Sequence, residues 1–184
     1  MDPKKETKIS KSLSYHLRHN PDELGIQLDS AGWVDVEVLL KAYQERKFPI
    51  SLDELSYVVE NNNKQRYAFS SDRKKIRASQ GHTVDVELDY HEATPPETLY
   101  HGTAAHNREI LLKTGLKKMQ RHHVHMSPER DTAINVGKRH GKPLIFLVAS
   151  LKMHQAGYVF FCSANGVWLT DYVPPEFLTL DSNS

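Results

Sequence analysis

The apolar positions in the first half of the chain predict short helices separated by turns. Ile9, Leu13 and Leu17 recur every four residues, which is the spacing of one helical face, and Pro21 would end that helix. Ile26 and Leu28 then alternate with polar residues, which predicts a short strand before the turn-like sequence Asp-Ser-Ala-Gly.

Two further helices and a hairpin are predicted before residue 80. Asp35 is a suitable N-cap for a helix whose inner face would carry Val38, Leu39 and Ala42. The segment 51–54, Ser-Leu-Asp-Glu, matches a capping box and predicts the start of the next helix. Alternating apolar residues at 67–69 and 76–78 predict a β-hairpin. Helix, short strand, helix, helix and hairpin is the order typical of a winged-helix module.

The second half alternates predicted strands with predicted helices, after a junction at 80–97 that contains an acidic run and two prolines. We predict two helices, at 104–114, where Gly115 would end the helix, and at 128–139. The predicted strands are 99–102, 124–127, 144–149, 159–162 and 167–170. The whole pattern favours an α+β fold.

Composition narrows the class of protein. The chain has 184 residues, of which 39% are hydrophobic and 26% charged, as in a folded globular protein. No apolar run approaches the roughly 18 residues that span a bilayer, so we expect no membrane association. The single cysteine, Cys162, excludes a disulfide framework, and we expect a cytoplasmic protein.

Charge is concentrated in one part of the chain. The net charge of +1 argues against a protein that coats a nucleic acid. Residues 101–142, however, contain nine Lys and Arg against three Asp and Glu, together with six of the eleven histidines. Because local fields rather than net charge attract polyanions, this segment predicts an anion site.

Three short segments carry candidate chemistry. Arg18 and His19 end the first predicted helix, where basic residues either complement the helix dipole or hold a phosphate. Arg66 opens the hairpin and means little alone. The third segment is 100–103, Tyr-His-Gly-Thr, at the end of a predicted strand, where the glycine would let another group approach the backbone.

The segment 121–127, Arg-His-His-Val-His-Met-Ser, is the densest cluster. If it is extended throughout, Arg121, His123, His125 and Ser127 share one face. A metal site at these histidines is an alternative, but no cysteine or carboxylate pattern completes a ligand set, and we expect no metal. A further basic stretch at 138–142 could face RNA or an adenylate, or serve only as a loop.

Eight blocks of sequence together resemble the RNA 2′-phosphotransferases of the KptA type. They lie in the expected order over about residues 8–178: LSYHLRHNP, GWVDVEVLL, KQRYAFS, IRASQGH, TLYHGT, RHHVHMS, VGKRHGKP and NGVWLT. The resemblance implies two lobes: a winged-helix-like, RNA-facing lobe at 1–92 and an ADP-ribosyltransferase-like, NAD-binding lobe at 93–184.

The resemblance also implies a reaction and its partners. An internal RNA 2′-phosphate would attack the nicotinamide ribose of NAD, giving a 2′-phospho-ADP-ribosyl-RNA intermediate. Attack by the ribose 2″-hydroxyl would then release RNA with a 2′-hydroxyl and ADP-ribose 1″,2″-cyclic phosphate. NAD is consumed as a co-substrate, the RNA is tRNA-like, and we expect a monomer.

The resemblance assigns roles to ten residues. Four would act in catalysis: Arg18, His19, Arg66 and Arg121. Six would face NAD: His101, Gly102, Thr103, His125, Ser127 and Val167. Two other interpretations remain open: an ADP-ribosyltransferase that modifies terminal phosphates of nucleic acids, and a non-enzymatic winged-helix nucleic-acid binder.

Overall fold

The first four helices and first three strands belong to one structural unit, Met1–Asp89. The computed structural model describes residues 1–62, 65–86, 88 and 90–182. The elements of this unit are α1 (Pro3–His16), α2 (Pro21–Leu24), β1 (Val34–Asp35), α3 (Val36–Glu45), α4 (Leu52–Glu60), β2 (Tyr67–Phe69) and β3 (Lys75–Ala78). The strands form an antiparallel sheet in the order β1-β3-β2.

Local signals fix the ends of these helices as predicted. The Asp35 carboxylate accepts the backbone N–H groups of Glu37 and Val38, which caps α3. Ser51 and Glu54 form the complete capping box at the start of α4, which is confirmed. The predicted hairpin is confirmed as β2 and β3.

The inner faces of the helices meet the sheet in one core. Ile9, Leu13 and Leu17 of the first helical segment are fully buried there, as their four-residue spacing predicts. The predicted inner face of α3 is partly wrong. Leu39 and Ala42 are buried, but Val38 is 50% exposed because the buried face of the helix continues to Tyr43 instead.

The short strand predicted around Ile26 and Leu28 is wrong. Ile26 is buried in the core without joining a sheet, and the strand forms later, at β1. A turn between them redirects the chain: the Asp29 backbone N–H donates to the Trp33 carbonyl, and the Asp29 carboxylate accepts the N–H groups of Ala31 and Trp33.

The second unit, Tyr90–Ser184, contains the remaining elements. Its strands are β4 (His91–Glu92), β5 (Leu99–Ala104), β6 (Leu116–Lys117), β7 (Val124–Met126), β8 (Pro143–Val148), β9 (Phe161–Cys162), β10 (Trp168–Thr170), β11 (Tyr172–Val173) and β12 (Leu178–Leu180). Its helices are α5 (Arg108–Thr114), α6 (Arg130–Gly137) and α7 (Ser150–Gln155). The strands form antiparallel sheets ordered β4-β9-β10-β7, β12-β8-β5 and β11-β6.

Several helices and strands of this unit are shorter than the sequence predicts. Strand β5 continues to Ala104, and a 3-10 turn (Ala105–Asn107) precedes α5, so the helix predicted at 104–114 begins later. Gly115, with φ of +73°, ends α5 as predicted. The helix predicted at 128–139 is α6 followed by a 3-10 turn (Lys138–His140), and the strand predicted at 159–162 is only β9.

Helix α6 packs against β5 because both glycines at the contact lack side chains. A Cβ atom on Gly102 would lie 1.8 Å from the Ala133 carbonyl oxygen, and one on Gly137 would lie 2.8 Å from the Thr103 carbonyl oxygen. The close approach expected at Gly102 therefore exists, and the approaching group is the backbone of α6. Strand β5 runs beside β8 in the core of this unit.

The described residues contain seven α-helices and several small antiparallel sheets, and the prediction of a mixed α and β fold is confirmed. No helix within that part of the chain is both long and apolar enough to cross a membrane.

Candidate active site

The backbone of Arg18, just beyond α1, is held by the segment that follows β3. Its carbonyl oxygen accepts the N–H groups of Thr83, at 2.9 Å, and Val84, at 3.3 Å. The Arg18 guanidinium runs beside Gly81, where a Cβ atom would come within 3.7 Å of Nη1. Its Nη2 donates to the Arg66 carbonyl oxygen at 3.4 Å. The fold thus brings Arg18 to the residue that opens the hairpin.

The imidazole of His19 is oriented by a hydroxyl group. Its Nδ1 lies 3.1 Å from Oγ1 of Thr83, and the same hydroxyl lies 3.4 Å from the carbonyl oxygen of Arg18. When the hydroxyl donates to that carbonyl, its oxygen accepts from Nδ1–H, and the Nε2 nitrogen of a neutral ring then bears the lone pair. Thr83 was not among the predicted site residues, although it directly follows the block IRASQGH.

The Arg66 guanidinium has a fixed side-chain partner. Nη1 donates to the Asn62 side-chain oxygen at 3.2 Å, and the Asn62 amide donates to the Ser10 hydroxyl at 3.4 Å. The structure therefore brings three of the four predicted catalytic residues together in the first unit, with Asn62 as a supporting residue that sequence reasoning missed. No motif distinguishes Asn62 from its asparagine neighbours in the sequence.

In the second unit, His101 lies close to two other predicted site residues, His125 and Arg121. Its Nδ1 lies 2.9 Å from the His125 carbonyl oxygen. Desolvation lowers the pKa of His101 below its ordinary value, the hydrogen bond to His125 opposes that shift, and the positive charge of Arg121 adds to it. The ring is therefore neutral at pH 7, with the proton on Nδ1 and the lone pair on Nε2.

Arg121 lies in the loop before β7, not on the strand. Only Val124–Met126 is extended, and the Arg121 N–H donates to the Lys118 carbonyl in a turn, so the single face predicted for Arg121, His123, His125 and Ser127 does not form. The Arg121 side chain is exposed on one side, yet surrounding protein desolvates it, and that desolvation followed by the charge of Arg139 lowers its pKa. The guanidinium remains charged. Because Arg139 acts on Arg121 and Arg121 acts on His101, these two arginines and the neutral histidine lie in one region of the second unit.

The other residues predicted to face NAD make structural contacts of their own. The Thr103 hydroxyl accepts from the Asn107 amide at 3.0 Å, and the Ser127 hydroxyl accepts the Glu129 N–H at 3.0 Å, just before α6. The Val167 N–H donates to the Ser163 hydroxyl at 3.0 Å in the turn before β10. Their contact with NAD, like that of Gly102, stays a prediction.

His123 has a different environment from His101. Its ring packs edge-on against Tyr90 and Phe161, and its Nε2 lies 3.9 Å from the Asp171 carboxylate. Burial lowers its pKa despite that carboxylate, which suits a neutral packing residue. Across the described ranges, no group of three His, Cys, Asp or Glu side chains is close enough to hold a metal ion.

Comparisons with known proteins place these residues in a family. A family model described as "RNA 2'-phosphotransferase, Tpt1 / KptA family" matches residues 4–172. Proteins named "Probable RNA 2'-phosphotransferase" are similar along their length. Those of Nostoc punctiforme (52% identical, 97% of this chain and 98% of the relative), Herpetosiphon aurantiacus (51%, 98% and 100%) and Streptomyces griseus (49%, 98% and 99%) are examples.

The chain therefore belongs to the Tpt1/KptA family of RNA 2′-phosphotransferases. The resemblance seen in the eight sequence blocks is confirmed, and so is the prediction of an enzyme of this class. The non-enzymatic nucleic-acid binder is correspondingly not supported.

Proposed function

We propose that this protein removes an internal 2′-phosphate from RNA in a reaction that consumes NAD. The products would be RNA with a 2′-hydroxyl, nicotinamide and ADP-ribose 1″,2″-cyclic phosphate. The observation that carries the proposal is the link between Arg18 and Arg66, with His19 beside them. Two guanidiniums and an imidazole suit a phosphate dianion, because each guanidinium offers a planar fork of donors and the ring can move a proton.

The second unit has groups that suit NAD. The charged Arg121 and Arg139 would hold anionic oxygens, and the Nε2 lone pair of His101 would accept a hydrogen bond from a ribose hydroxyl. NAD would supply an electrophilic ribose carbon with nicotinamide as leaving group. An ADP-ribosyltransferase-like role for this unit, and an RNA-facing winged-helix-like role for the first, are part of the same proposal.

The proposed first step demands positioning rather than a base. The 2′-phosphate is already an anion, so its oxygen can form the new bond to the ribose carbon while the carbon–nitrogen bond breaks and its electron pair leaves with nicotinamide. The protein's task is to hold the phosphate in line and to offset its charge with preorganised donors. We propose that Arg18, Arg66 and Arg121 perform that task.

The proposed second step requires a proton transfer. The neighbouring ribose hydroxyl forms a bond to phosphorus, the bond from phosphorus to the RNA 2′-oxygen breaks, and that oxygen takes up a proton as the hydroxyl loses one. His19 is suited to this transfer, because an imidazole exchanges protons near neutral pH and Thr83 orients the ring through Nδ1.

The test is a direct assay of both products. The protein is incubated with NAD and an RNA oligonucleotide that carries one internal 2′-phosphate, and the RNA and the small molecules are resolved. We expect loss of the 2′-phosphate and appearance of the cyclic phosphate. Arg18→Ala and Arg66→Ala should each lower kcat by about 10²–10³-fold, whereas Arg73→Ala, a surface arginine paired with Glu60, should not.

Two outcomes would contradict the proposal. Persistence of the 2′-phosphate with wild-type protein would exclude the activity on this class of substrate. Label from NAD that stays on the polymer, in place of released cyclic phosphate, would identify an ADP-ribosyltransferase acting on nucleic-acid phosphates.

A further inference from the structure

The hairpin that Arg66 opens carries another arginine, on the outward face of the β1-β3-β2 sheet. Ile76 and Ala78 of β3 are buried, so Arg77 between them faces outward, opposite Ala68 of β2. Pairing continues beyond β2, because the Ser79 N–H donates to the Arg66 carbonyl at 2.9 Å. Arg66 therefore lies opposite Ser79, two positions along the hairpin from the Ala68–Arg77 pair.

Arg77 lies over the ring of a tryptophan. Its guanidinium carbon is 4.5 Å from the centre of the Trp33 ring, and its Nη1 lies 3.4 Å from the Ala31 carbonyl oxygen. Asp29 holds the Trp33 backbone through two hydrogen bonds, one from its own N–H to the Trp33 carbonyl oxygen and one from the Trp33 N–H to its carboxylate. Both side chains of the pair are partly exposed.

The two carboxylates that flank Trp33 in the sequence, at Asp29 and Asp35, have partners other than Arg77. Asp29 forms an ion pair with Lys75, and Asp35 caps α3. Across residues 1–62, 65–86, 88 and 90–182, no carboxylate forms an ion pair with Arg77. The Arg77 guanidinium thus offers a positive charge and a planar group at a partly exposed position over the Trp33 ring.

An arginine that lies over an aromatic ring suits single-stranded RNA. Unpaired bases stack on aromatic rings and on guanidinium planes, and the charge attracts the phosphate that links one nucleotide to the next. We propose that the Trp33–Arg77 pair binds the nucleotide adjacent to the one that carries the 2′-phosphate. This inference rests on the proposed function, and it assigns to the substrate a single-stranded segment next to the reacting phosphate.

The test measures RNA binding apart from turnover. Fluorescence anisotropy with a short, labelled single-stranded RNA that carries one internal 2′-phosphate, in the absence of NAD, gives Kd for each variant. We expect Arg77→Ala and Trp33→Ala to raise Kd about tenfold, Trp33→Phe to retain most affinity, and Arg77→Lys to lose much of it because lysine lacks the plane.

Arg73→Ala is the matched control. It removes the same charge from the same hairpin and the same kind of stacking contact, with Phe69 at 4.7 Å, and its binding should stay within about twofold. Circular dichroism of each variant checks the fold. The kcat of Arg77→Ala should fall by a smaller factor than KM for the RNA rises, which separates a binding residue from a catalytic arginine.

Two results would overturn the inference: unchanged Kd in Arg77→Ala, or equal competition by duplex RNA of the same sequence. Neither result bears on the proposed function, since that function fails only when the wild-type protein forms no cyclic phosphate.

Discussion

The Nδ1 nitrogen of His101 donates its hydrogen to the backbone carbonyl oxygen of His125, at 2.9 Å. A carbonyl oxygen can only accept, so this one contact fixes which ring nitrogen carries the proton in the neutral imidazole. The contact joins the middle of β5 to β7, and it holds the ring plane as well as the tautomer.

The burial of this ring predicts how stability depends on pH. His101 has a pKa below its unfolded value of 6.5, and so do His16 and His123. Below pH 6.5 the unfolded chain binds more protons than the folded one, so the free energy of unfolding should fall as the pH drops through that range. Urea denaturation at several pH values between about 5 and 8 measures it.

A pair of variants separates His101 from the general effect of acid. His101→Asn should weaken the loss of stability below pH 6.5, while His106→Asn, at an exposed position, should leave it unchanged. Identical slopes in wild type and His101→Asn would show that this ring contributes nothing to the acid sensitivity.

Thr83 is expected to support His19 without touching the substrate. Thr83→Val keeps the shape of the side chain and removes the hydroxyl that orients Nδ1, so kcat should fall by roughly five- to tenfold, the equivalent of about 1 kcal/mol. Thr83→Ser should restore kcat. A change confined to KM in the valine variant would instead indicate a role in binding RNA.

Gly102 should tolerate no side chain. Gly102→Ala places a carbon against the Ala133 carbonyl oxygen, a backbone group that cannot move alone, and should lower the free energy of unfolding by at least about 3 kcal/mol. Gly157→Ala is the comparison, since nothing lies within 4 Å of its Cβ position. There only the positive φ of +98° opposes alanine, at about 1–2 kcal/mol. Equal losses would refute the close contact.

RNA affinity should depend only modestly on salt. The residues proposed to contact RNA include few cations, and each neutralised phosphate adds about −0.7 to the slope of log K against log salt for a single strand. Three or four contacts predict a slope of about −2 to −3, and Arg77→Ala should reduce its magnitude by about 0.7. A slope steeper than about −6 would indicate an extended track of phosphate contacts.

Features that depend on neighbouring residues in the sequence were predictable. The caps at Asp35 and Ser51, the buried stripe of α1 and the stop at Gly115 each follow from a few adjacent residues. Strand β1 was missed because a two-residue strand exists only through its partner β3, some forty positions later, and no local pattern specifies that pairing.

In the candidate site, too, local sequence specified some residues, whereas the contacts between distant residues could not be predicted. Motifs identified Arg18, His19 and Arg66, but the contacts that hold them come from Thr83 and Asn62, which carry no local signal. The glycine at 102 was correctly singled out as a point of close approach. Which group approaches it depends on α6, thirty residues further along, and only the fold supplies that answer.

The environment of the Cys162 thiol has a practical consequence for fluorescent labelling. Desolvation raises the pKa of its thiol, which also lies 3.6 Å from the Ser163 carbonyl oxygen, so less of it is in the reactive thiolate form at neutral pH. It is the only cysteine in the chain. A cysteine introduced at an exposed position such as Met119, which is 84% exposed, should therefore react with a maleimide fluorophore faster than the native thiol does.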